Sequence, residues 1–367
     1  MEECTKRFNS DYDYQTFKTY PHLQTMVFAH IHEIKSLRTL EIALNTQQVG
    51  VKNKIRRSTI SDANKKRSSQ AFFWLLEQLM SLLPKRRCKE IEKVVRILDS
   101  SPIQLRGRGF DEWSKQYATR HIQGLKLHLE YDLALESPVK TMISHPNCND
   151  ATIGQMWPIE QDTIYVFDKG YYDFNWWWSI HESQAFFVTR LKKNAAIVMI
   201  EEKEVRSETI LEDGTFQFKI KKPRGRKTNL YKENLRRVSV KREGKSPLIL
   251  VTNLRDLSAE KIGELYKARW EIELFFKWIK QNLKIKKYLG RSVNAVKIQL
   301  ATALIAYLLV QIFKINLNDK RTLYLVITWM KFNFYRKIED AAIRKQSPPI
   351  YHFQRQRFSV NREPVHL

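Results

Sequence analysis

Two apolar segments of the chain each end in an aspartate, and this pairing limits the fold more than any other feature. The segment VVRILDS, residues 94–100, is rich in β-branched side chains and carries Asp99 near its end. The segment TIYVFDKGYYD, residues 163–173, has the same character as far as Asp168. Both patterns predict buried strands. A carboxylate at the C-terminal end of a strand faces the crevice in which open α/β sheets place their sites, so we predict an α/β fold with a site at that edge.

The neighbouring segments extend this pattern to a larger sheet. Short apolar stretches predict further strands at residues 124–133, 138–145, 185–191 and 247–254. Residues 192–247 alternate in short stretches around a turn signal at Asp213-Gly214, and we predict that they form an inserted antiparallel β module. The run LATALIAYLLVQIF, residues 300–313, has 14 residues. That length is too short to span a bilayer, and we predict a buried core helix.

The N-terminal region has helical spacing on both sides of a basic segment. Apolar residues recur with the helical period in residues 22–46 and 68–83, and a stretch dense in lysine and arginine lies between them. This order predicts a helix-turn-helix unit with its reading helix near residues 59–68 and with Arg56 and Arg57 as DNA contacts. A basic helix that is simply solvated is the alternative.

The charge balance points to a polyanionic partner. The chain of 367 residues has 64 Lys and Arg against 39 Asp and Glu, a net charge of +25. Nucleic acid is the first candidate, an anionic membrane surface the second, and solubility alone the third. The three cysteines, Cys4, Cys88 and Cys148, lack metal-ligand spacing, and the polar start is unlike a signal peptide. We therefore expect a cytoplasmic protein.

A narrow polar stripe runs along the predicted helix YKARWEIELFFKWIK, residues 266–280. At about 100° per residue, Tyr266, Arg269, Glu273 and Lys280 fall within about 60° of arc. The stripe is about 21 Å long at 1.5 Å per residue. Apolar residues are predicted to pack against protein on both flanks, namely Leu265, Ile272, Phe275, Phe276 and Ile279 on one and Trp270, Leu274 and Trp278 on the other. The alternative is a core helix stabilised by an Arg269–Glu273 pair, four residues apart.

Three acids are candidates for metal binding: Asp99, Asp168 and Glu273. Three carboxylates held close together repel one another unless a cation lies among them. Oxygen ligands suit Mg²⁺ or Mn²⁺, and two such ions can activate water and stabilise a leaving oxygen on phosphorus. The alternative is that each acid is a strand-end turn or a surface group. His128 is predicted to be a structural strand residue, with support of the metal site as its alternative, and Glu271 points about 160° away from Glu273.

These residues resemble the DDE transposases of bacterial insertion sequences, in particular the group with the YREK signature. Tyr266, Arg269, Glu273 and Lys280 match every interval of that signature. The segments ILDSSPIQL, GLKLHLEYDL, VFDKGYYD and LVTNL look like the neighbouring family motifs, so the resemblance covers about residues 91–310. Lys169 stands where members often have arginine, and the first motif reads Asp-Ser-Ser where Asp-Ser-Thr is common.

The resemblance implies a fold and an activity. The fold is an RNase H-like mixed sheet flanked by helices, with a β insertion before the last catalytic helix. The activity is cut-and-paste transposition: the three acids would bind two Mg²⁺, or Mn²⁺, for cleavage of transposon ends, hairpin formation and opening, and joining to target DNA. Double-stranded DNA would be the partner of a homodimer on paired ends. Four residues would contact DNA: Tyr266, Arg269, Lys280 and Lys169.

The resulting domain prediction has three parts. They are a helical DNA-binding domain at residues 1–90, an RNase H-like catalytic domain at residues 91–310 and a basic helical tail at residues 311–367. The alternatives to a transposase are a metal-dependent nuclease of the same fold without strand transfer and a catalytically inactive DNA-binding derivative. Membrane binding is not expected, because no basic amphipathic helix stands out. The run Trp176–Trp178 is predicted to pack in the core.

Overall fold

The computed structural model describes residues 1–46, 54–107, 109–110, 113–116, 123–219, 228–282 and 287–333. Within these ranges the helices are α1 Glu2–Phe8, α2 Thr19–Ile31, α3 Leu37–Thr46, α4 Arg57–Lys66, α5 Ser69–Ser81, α6 Asp150–Met156, α7 Phe174–Glu182, α8 Ala259–Ala268, α9 Trp270–Asn282, α10 Val293–Asn316 and α11 Leu323–Asn333. The strands are β1 Val94–Gln104, β2 Lys115–Gln116, β3 Gln123–Asp132, β4 Ser137–Ser144, β5 Thr163–Phe167, β6 Phe186–Arg190, β7 Ile197–Lys203, β8 Ile210–Phe218, β9 Leu235–Val240 and β10 Leu248–Thr252.

A single mixed sheet organises the fold. Its order is β2-β3-β1-β5-β6-β10-β9-β8-β7, and β4 also pairs with β3. The neighbours β1, β5 and β6 run parallel, whereas the remaining pairs are antiparallel. The predicted fold class, an RNase H-like mixed sheet flanked by helices, is confirmed. The predicted insertion is present as β7, β8 and β9, but these strands continue the main sheet through β10.

The central strands bury both of their faces, as parallel strands covered by helices must. Along β5, Ile164 and Val166 face the core shared with α8, α9 and α10, whereas Tyr165 and Phe167 face α7. This alternation follows from the two-residue period of a strand. Trp176 and Trp177 on α7 are buried in the second core, so the tryptophan run packs in the interior as predicted.

Helix α10 joins the N-terminal helices to the sheet. Its residues Ile298 and Ala301 belong to the core of α2, α3, α4 and α5, while Leu304 and Leu308 pack towards the sheet. By length and composition alone, this helix of 24 residues could cross a membrane, yet 72% of its most apolar stretch is buried inside the protein. The prediction of a buried core helix is correct, and the helix is longer than the run at 300–313.

Two further predictions concern regions that the structure covers in part. Helix α4 matches the predicted reading helix and begins at Arg57. The basic tail beyond residue 333, residues 220–227 of the β module and residues 51–53 of the basic segment lie outside the described residues. The domain boundaries at residues 90 and 310 stay a prediction.

The turn predicted at Asp213-Gly214 is wrong. Both residues lie inside β8, where Asp213 pairs with Val238 and Gly214 with Arg237 of β9. A Cβ on Gly214 would collide with the carbonyl oxygen of Glu201 on β7. Glycine is therefore required here for a close backbone approach within a strand, which the Asp-Gly pattern does not distinguish from a hairpin turn.

Replacing Gly214 with alanine should lower the free energy of unfolding by about 1–3 kcal/mol, because the added methyl group forces the β7–β8 pair apart. Denaturant titration of the purified variant measures this change. The matched control is Gly263→Ala on α8, where a Cβ meets Val240 at an ordinary 3.5 Å. That control should stabilise the protein by up to about 1 kcal/mol, since alanine favours a helix. Equal effects of the two substitutions would contradict the explanation.

Candidate active site

The two predicted aspartates, Asp99 and Asp168, are brought together by neighbouring strands. Strands β1 and β5 are parallel neighbours whose last paired residues are Leu98 and Phe167. Asp99 and Asp168 follow these residues directly, so both lie where the pairing of β1 with β5 ends. The prediction that Asp99 ends its strand is wrong, because β1 continues to Gln104 through its pairing with β3. The parallel pairing therefore brings together two acids that are far apart in sequence, as the strand pattern predicts.

Local backbone hydrogen bonds orient both carboxylates. The backbone N–H of Ser100 donates to Oδ1 of Asp99 at 2.8 Å, and that of Gly170 donates to Oδ1 of Asp168 at 2.7 Å. A Cβ on Gly170 would lie 2.8 Å from the same Asp168 oxygen, so this turn favours glycine. Asp168 thus has the strand-end turn that was the alternative to metal binding, whereas Asp99 lies within β1.

Arg269 connects the strand edge to the helix that carries Glu273. Its Nη1 donates to Oδ2 of Asp99 at 3.2 Å, and its Nη2 donates to Oε1 of Glu273 at 2.5 Å. The pair between Arg269 and Glu273 is the helical contact predicted by the alternative reading of the stripe. The contact with Asp99 goes beyond that reading, because it brings one acid from β1 and one from α9 to the same cation.

The predicted helix at 266–280 is divided at Arg269. The backbone N–H of Arg269 donates to the carbonyl of Tyr266, three residues back, so α8 ends and α9 begins at this position. Tyr266 is buried, and the Arg269 guanidinium carbon lies 5.9 Å from its ring centre. Nζ of Lys280 donates to Oγ of Ser101 at 2.5 Å, which brings the end of the stripe to β1.

One flank of the stripe differs from the prediction. Ile272, Phe275 and the other residues of the first flank are buried as expected. On the second flank Trp270 and Leu274 are 51% and 53% exposed, so the prediction that this side packs against protein is wrong for them. The period of 3.6 residues gives the direction of a side chain, but it does not show whether another element covers that direction.

An open cavity of about 460 Å³ lies between β1 and α9. Its lining residues are Asp99, Ser100, Ser101, Glu273, Phe276, Lys277, Lys280 and Gln281. The lining thus includes the carboxylates of Asp99 and Glu273 and the ammonium groups of Lys277 and Lys280. Such a wall can accept a phosphate group on the lysines while its carboxylates face a cation.

Burial dominates the electrostatics of Asp99. Desolvation raises the pKa of its carboxyl to about 7, opposed by the Ser100 hydrogen bond and by Arg269, and the nearby charges of Asp168 and Glu273 raise it further. The ionised form of Asp99 is therefore disfavoured in the metal-free protein, and a bound cation would stabilise it. Burial also raises the pKa of the Tyr266 hydroxyl.

This raised pKa gives a pH prediction for protein freed of metal with a chelator. Between the ordinary pKa of 3.8 and about 7, folded Asp99 holds a proton that the unfolded chain has released. Rising pH therefore removes stability through this window. Asp99→Asn should match wild type near pH 4 and exceed it by about 1–4 kcal/mol above pH 7. Denaturant titrations at both pH values test this, and a wild type more stable than the variant at pH 8 would contradict it.

The acids offer the oxygen donors of a divalent-metal site, but Arg269 lies between two of them, Asp99 and Glu273. Across the described residues, no three His, Cys, Asp or Glu side chains stand close enough to hold one ion. The guanidinium of Arg269 instead supplies the positive charge between Asp99 and Glu273, and its Nε is buried without a hydrogen-bond partner. All-oxygen donors and a buried carboxyl with a raised pKa fit a hard cation such as Mg²⁺ or Mn²⁺. Such a cation could bind once the Arg269 side chain has moved away from Asp99 and Glu273.

The other predicted contacts lie at the surface. Lys169 directly follows Asp168 and is exposed. Arg56 and Arg57 are exposed at the start of α4, and neither forms an ion pair with a described residue.

His128 is fully buried and bonds to Ser144 Oγ at 2.7 Å. Burial lowers the pKa of His128 to about 4, which agrees with a structural role.

Asp150, the first residue of α6, escaped the sequence reasoning. Its Oδ1 accepts hydrogen bonds from Ser100 Oγ at 2.8 Å and from Lys126 Nζ at 3.1 Å. The sequence signal was the Asn149-Asp150 pair, since Asn149 caps α6 through the backbone N–H of Ala151. That pattern indicates a helix start, but it does not predict which strand the next carboxylate will contact.

The fold is that of an RNase H-like transposase. A solved structure of the piggyBac transposase synaptic complex with hairpin DNA matches 88% of this chain and 73% of that one, with a TM-score of 0.50. The sequence identity is 10%, so the likeness concerns the fold alone.

The family follows from the sequence. The transposase DDE domain family matches residues 90–309, and a domain of unknown function matches residues 1–50. "Putative transposase y4zB" of Sinorhizobium fredii is 35% identical over 79% of this chain and 80% of its own length. "Probable transposase for insertion sequence element IS5377" of Geobacillus stearothermophilus is 27% identical over 81% and 77%. The chain belongs to the transposase DDE domain family.

Proposed function

We propose that this protein is a DNA transposase that binds the ends of an insertion sequence, cleaves them and joins them to target DNA. The observation that carries the proposal is the convergence of Asp99 from β1 and Glu273 from α9 on Arg269, beside Asp168 at the end of β5. Asp99 and Glu273 line a cavity that also contains Lys277 and Lys280. Asp168 is close enough for its charge to act on Asp99.

The chemistry assigned to the acids is in-line phosphoryl transfer. Asp99, Asp168 and Glu273 would hold two divalent cations, Mg²⁺ or Mn²⁺, which supply activation of the attacking oxygen and stabilisation of the leaving oxygen. Asp99 arrives with its carboxylate fixed by Ser100, and Asp168 with its carboxylate fixed by Gly170. This preorganisation lowers the reorganisation that the chemistry would otherwise require.

The basic residues in and around the site would have the complementary role of binding DNA. Phosphate contacts would come from Arg269, Lys280 and the exposed Lys169. The ring of Tyr266 lies beside the Arg269 guanidinium, with its centre 5.9 Å from the guanidinium carbon. A phosphate on Arg269 would compete with Asp99 and Glu273 for its N–H groups. DNA binding would then free both carboxylates for metal, so the ends and the metal should bind cooperatively.

The remaining parts of the proposal concern the partner and its location. Helix α4 exposes Arg56, Arg57, Lys65 and Lys66 and would read the terminal repeats in double-stranded DNA. We propose a homodimer that pairs two ends, acting in the bacterial cytoplasm on chromosomal DNA. Analytical ultracentrifugation of the protein with one end and with two ends tests the dimer.

The deciding experiment separates cleavage from joining. Purified protein is mixed with a supercoiled donor plasmid carrying both ends of the element, with and without Mg²⁺, and separately with a pre-cleaved end and a target plasmid. A transposase gives metal-dependent cleavage and joined products. Cleavage without joining would instead make the protein a nuclease of the same fold, and binding without either reaction would make it an inactive derivative.

A further inference from the structure

Asp150 connects the supports of the two strand-borne acids. Its Oδ1 accepts from Oγ of Ser100, whose backbone N–H in turn holds the carboxylate of Asp99. Its Oδ2 lies on the other side, 3.4 Å from the position of a Cβ on Gly170, whose backbone N–H holds Asp168. One carboxylate therefore bonds to the Ser100 side chain and lies beside the Gly170 turn, the two local structures that orient Asp99 and Asp168.

Asp150 is itself held firmly in place. Nζ of Lys126 on β3 donates to its Oδ1 at 3.1 Å and to the carbonyl of Cys148 at 2.7 Å. The buried His128 lies two residues after Lys126 on the same face of β3. Its Nδ1 is 3.5 Å from Oδ1 of Asp150. Because most of the Asp150 side chain is shielded from water, the ion pair between Lys126 and Asp150 is stronger than an exposed one.

Helix α6 is fixed to the Asp168 turn by packing as well. The ring of Tyr171 would lie 3.1 Å from a Cβ on Gly154, so the absence of a side chain there lets α6 sit directly on the turn. Tyr171 is fully buried, and its hydroxyl has no hydrogen-bond partner among the residues that the structure describes. The packing leaves α6 little freedom to move relative to Asp168.

We propose that Asp150 is a positioning residue that sets the distance between Asp99 and Asp168 and thereby the affinity of the site for divalent cations. The proposal rests on the proposed function. Supports behind metal ligands commonly change metal affinity about 10- to 100-fold when they are removed. Asp150 accepts a hydrogen bond from the Ser100 hydroxyl and lies beside the Gly170 turn, without belonging to the cavity that contains Asp99 and Glu273.

The test measures binding of Mn²⁺ alone to the full chain by electron paramagnetic resonance. Asp150→Asn keeps the shape of the side chain but loses the charge that Lys126 pairs with, and it should weaken Mn²⁺ binding about tenfold. Ser100→Ala should weaken it by a smaller factor. The double variant should bind about as weakly as Asp150→Asn, because both substitutions break one chain of contacts.

The matched control is Asp162→Asn at the opposite end of β5. Asp162 also pairs with a lysine, Lys93, but it touches none of the site residues. Its replacement should leave Mn²⁺ affinity unchanged. Binding of transposon-end DNA without metal should be equal in wild type and all four variants, which separates positioning from general loss of structure.

Two results would overturn the proposal. One is wild-type Mn²⁺ affinity in both Asp150→Asn and Ser100→Ala. The other is a drop in the number of ions bound by Asp150→Asn, which would make Asp150 a ligand. Failure of the proposed function has a different signature. In that case even Arg269→Ala, in which no guanidinium competes for Asp99 and Glu273, shows no Mn²⁺ binding that a further Asp99→Asn substitution removes. If Asp150→Asn does not fold, the Ser100→Ala result decides.

Discussion

Replacing Glu273 with glutamine should lower the rate of DNA cleavage by about a thousandfold or more and leave binding of the transposon ends within about threefold of wild type. Glutamine keeps the size of the side chain and one oxygen, but it lacks the charge that a divalent cation requires. Loss of about 4 kcal/mol of transition-state stabilisation corresponds to a factor of about a thousand. Single-turnover cleavage of labelled ends and a mobility-shift titration measure the two quantities.

The same helix offers the control. Glu271 is exposed on α9 and lies outside the cavity. Glu271→Gln removes the same charge from the same helix and should cleave at nearly the wild-type rate. Equal loss of cleavage in the two variants, or parallel loss of end binding in Glu273→Gln, would count against a catalytic role for Glu273.

Replacing Arg269 with alanine should have opposite effects on two ligands. Without the guanidinium, Asp99 and Glu273 lose the positive charge between them. Protein without DNA should then bind Mn²⁺ more tightly, by about tenfold for about 1.4 kcal/mol of removed competition. End DNA should bind about tenfold more weakly, with the slope of log affinity against log salt reduced by about one.

Isothermal titration with Mn²⁺ and salt-dependent end binding together test the Arg269 prediction. Arg206→Ala is a suitable control, since Arg206 is exposed, pairs with Glu204 and lies between β7 and β8. It removes the same charge and should change neither property by more than about twofold. Weaker Mn²⁺ binding by Arg269→Ala would show that the arginine supports the metal site and does not compete for it.

The residues that the sequence could place are those on regular elements. Asp99 and Asp168 each follow an apolar stretch, and parallel pairing of β1 with β5 brings such residues together without further information, although β1 continues beyond Asp99. Glu273 and Lys280 share a helix face, and that face does border β1, as shown by the contact between Lys280 and Ser101. The period of each element was enough to predict which side chains face the site.

Other features depend on contacts between distant elements, which no local pattern encodes. The exposure of Trp270 follows from the lack of a covering element among the described residues. Gly214 resembles a turn residue because the sequence cannot show that the backbone of β7 passes beside it. Arg269 was expected to contact Glu273, but its second contact with Asp99 joins residues 170 positions apart. The role of Asp150 likewise depends on four separate elements.

The central claim is that Asp99, Asp168 and Glu273 share divalent cations once the protein holds its DNA. Anomalous diffraction from a crystal of the protein with its transposon ends and Mn²⁺ tests this directly. The account predicts two manganese peaks about 3.5–4 Å apart, bound by these three carboxylates, with Arg269 turned to a phosphate. Manganese bound elsewhere, with Arg269 still bridging Asp99 and Glu273 on the bound DNA, would contradict it.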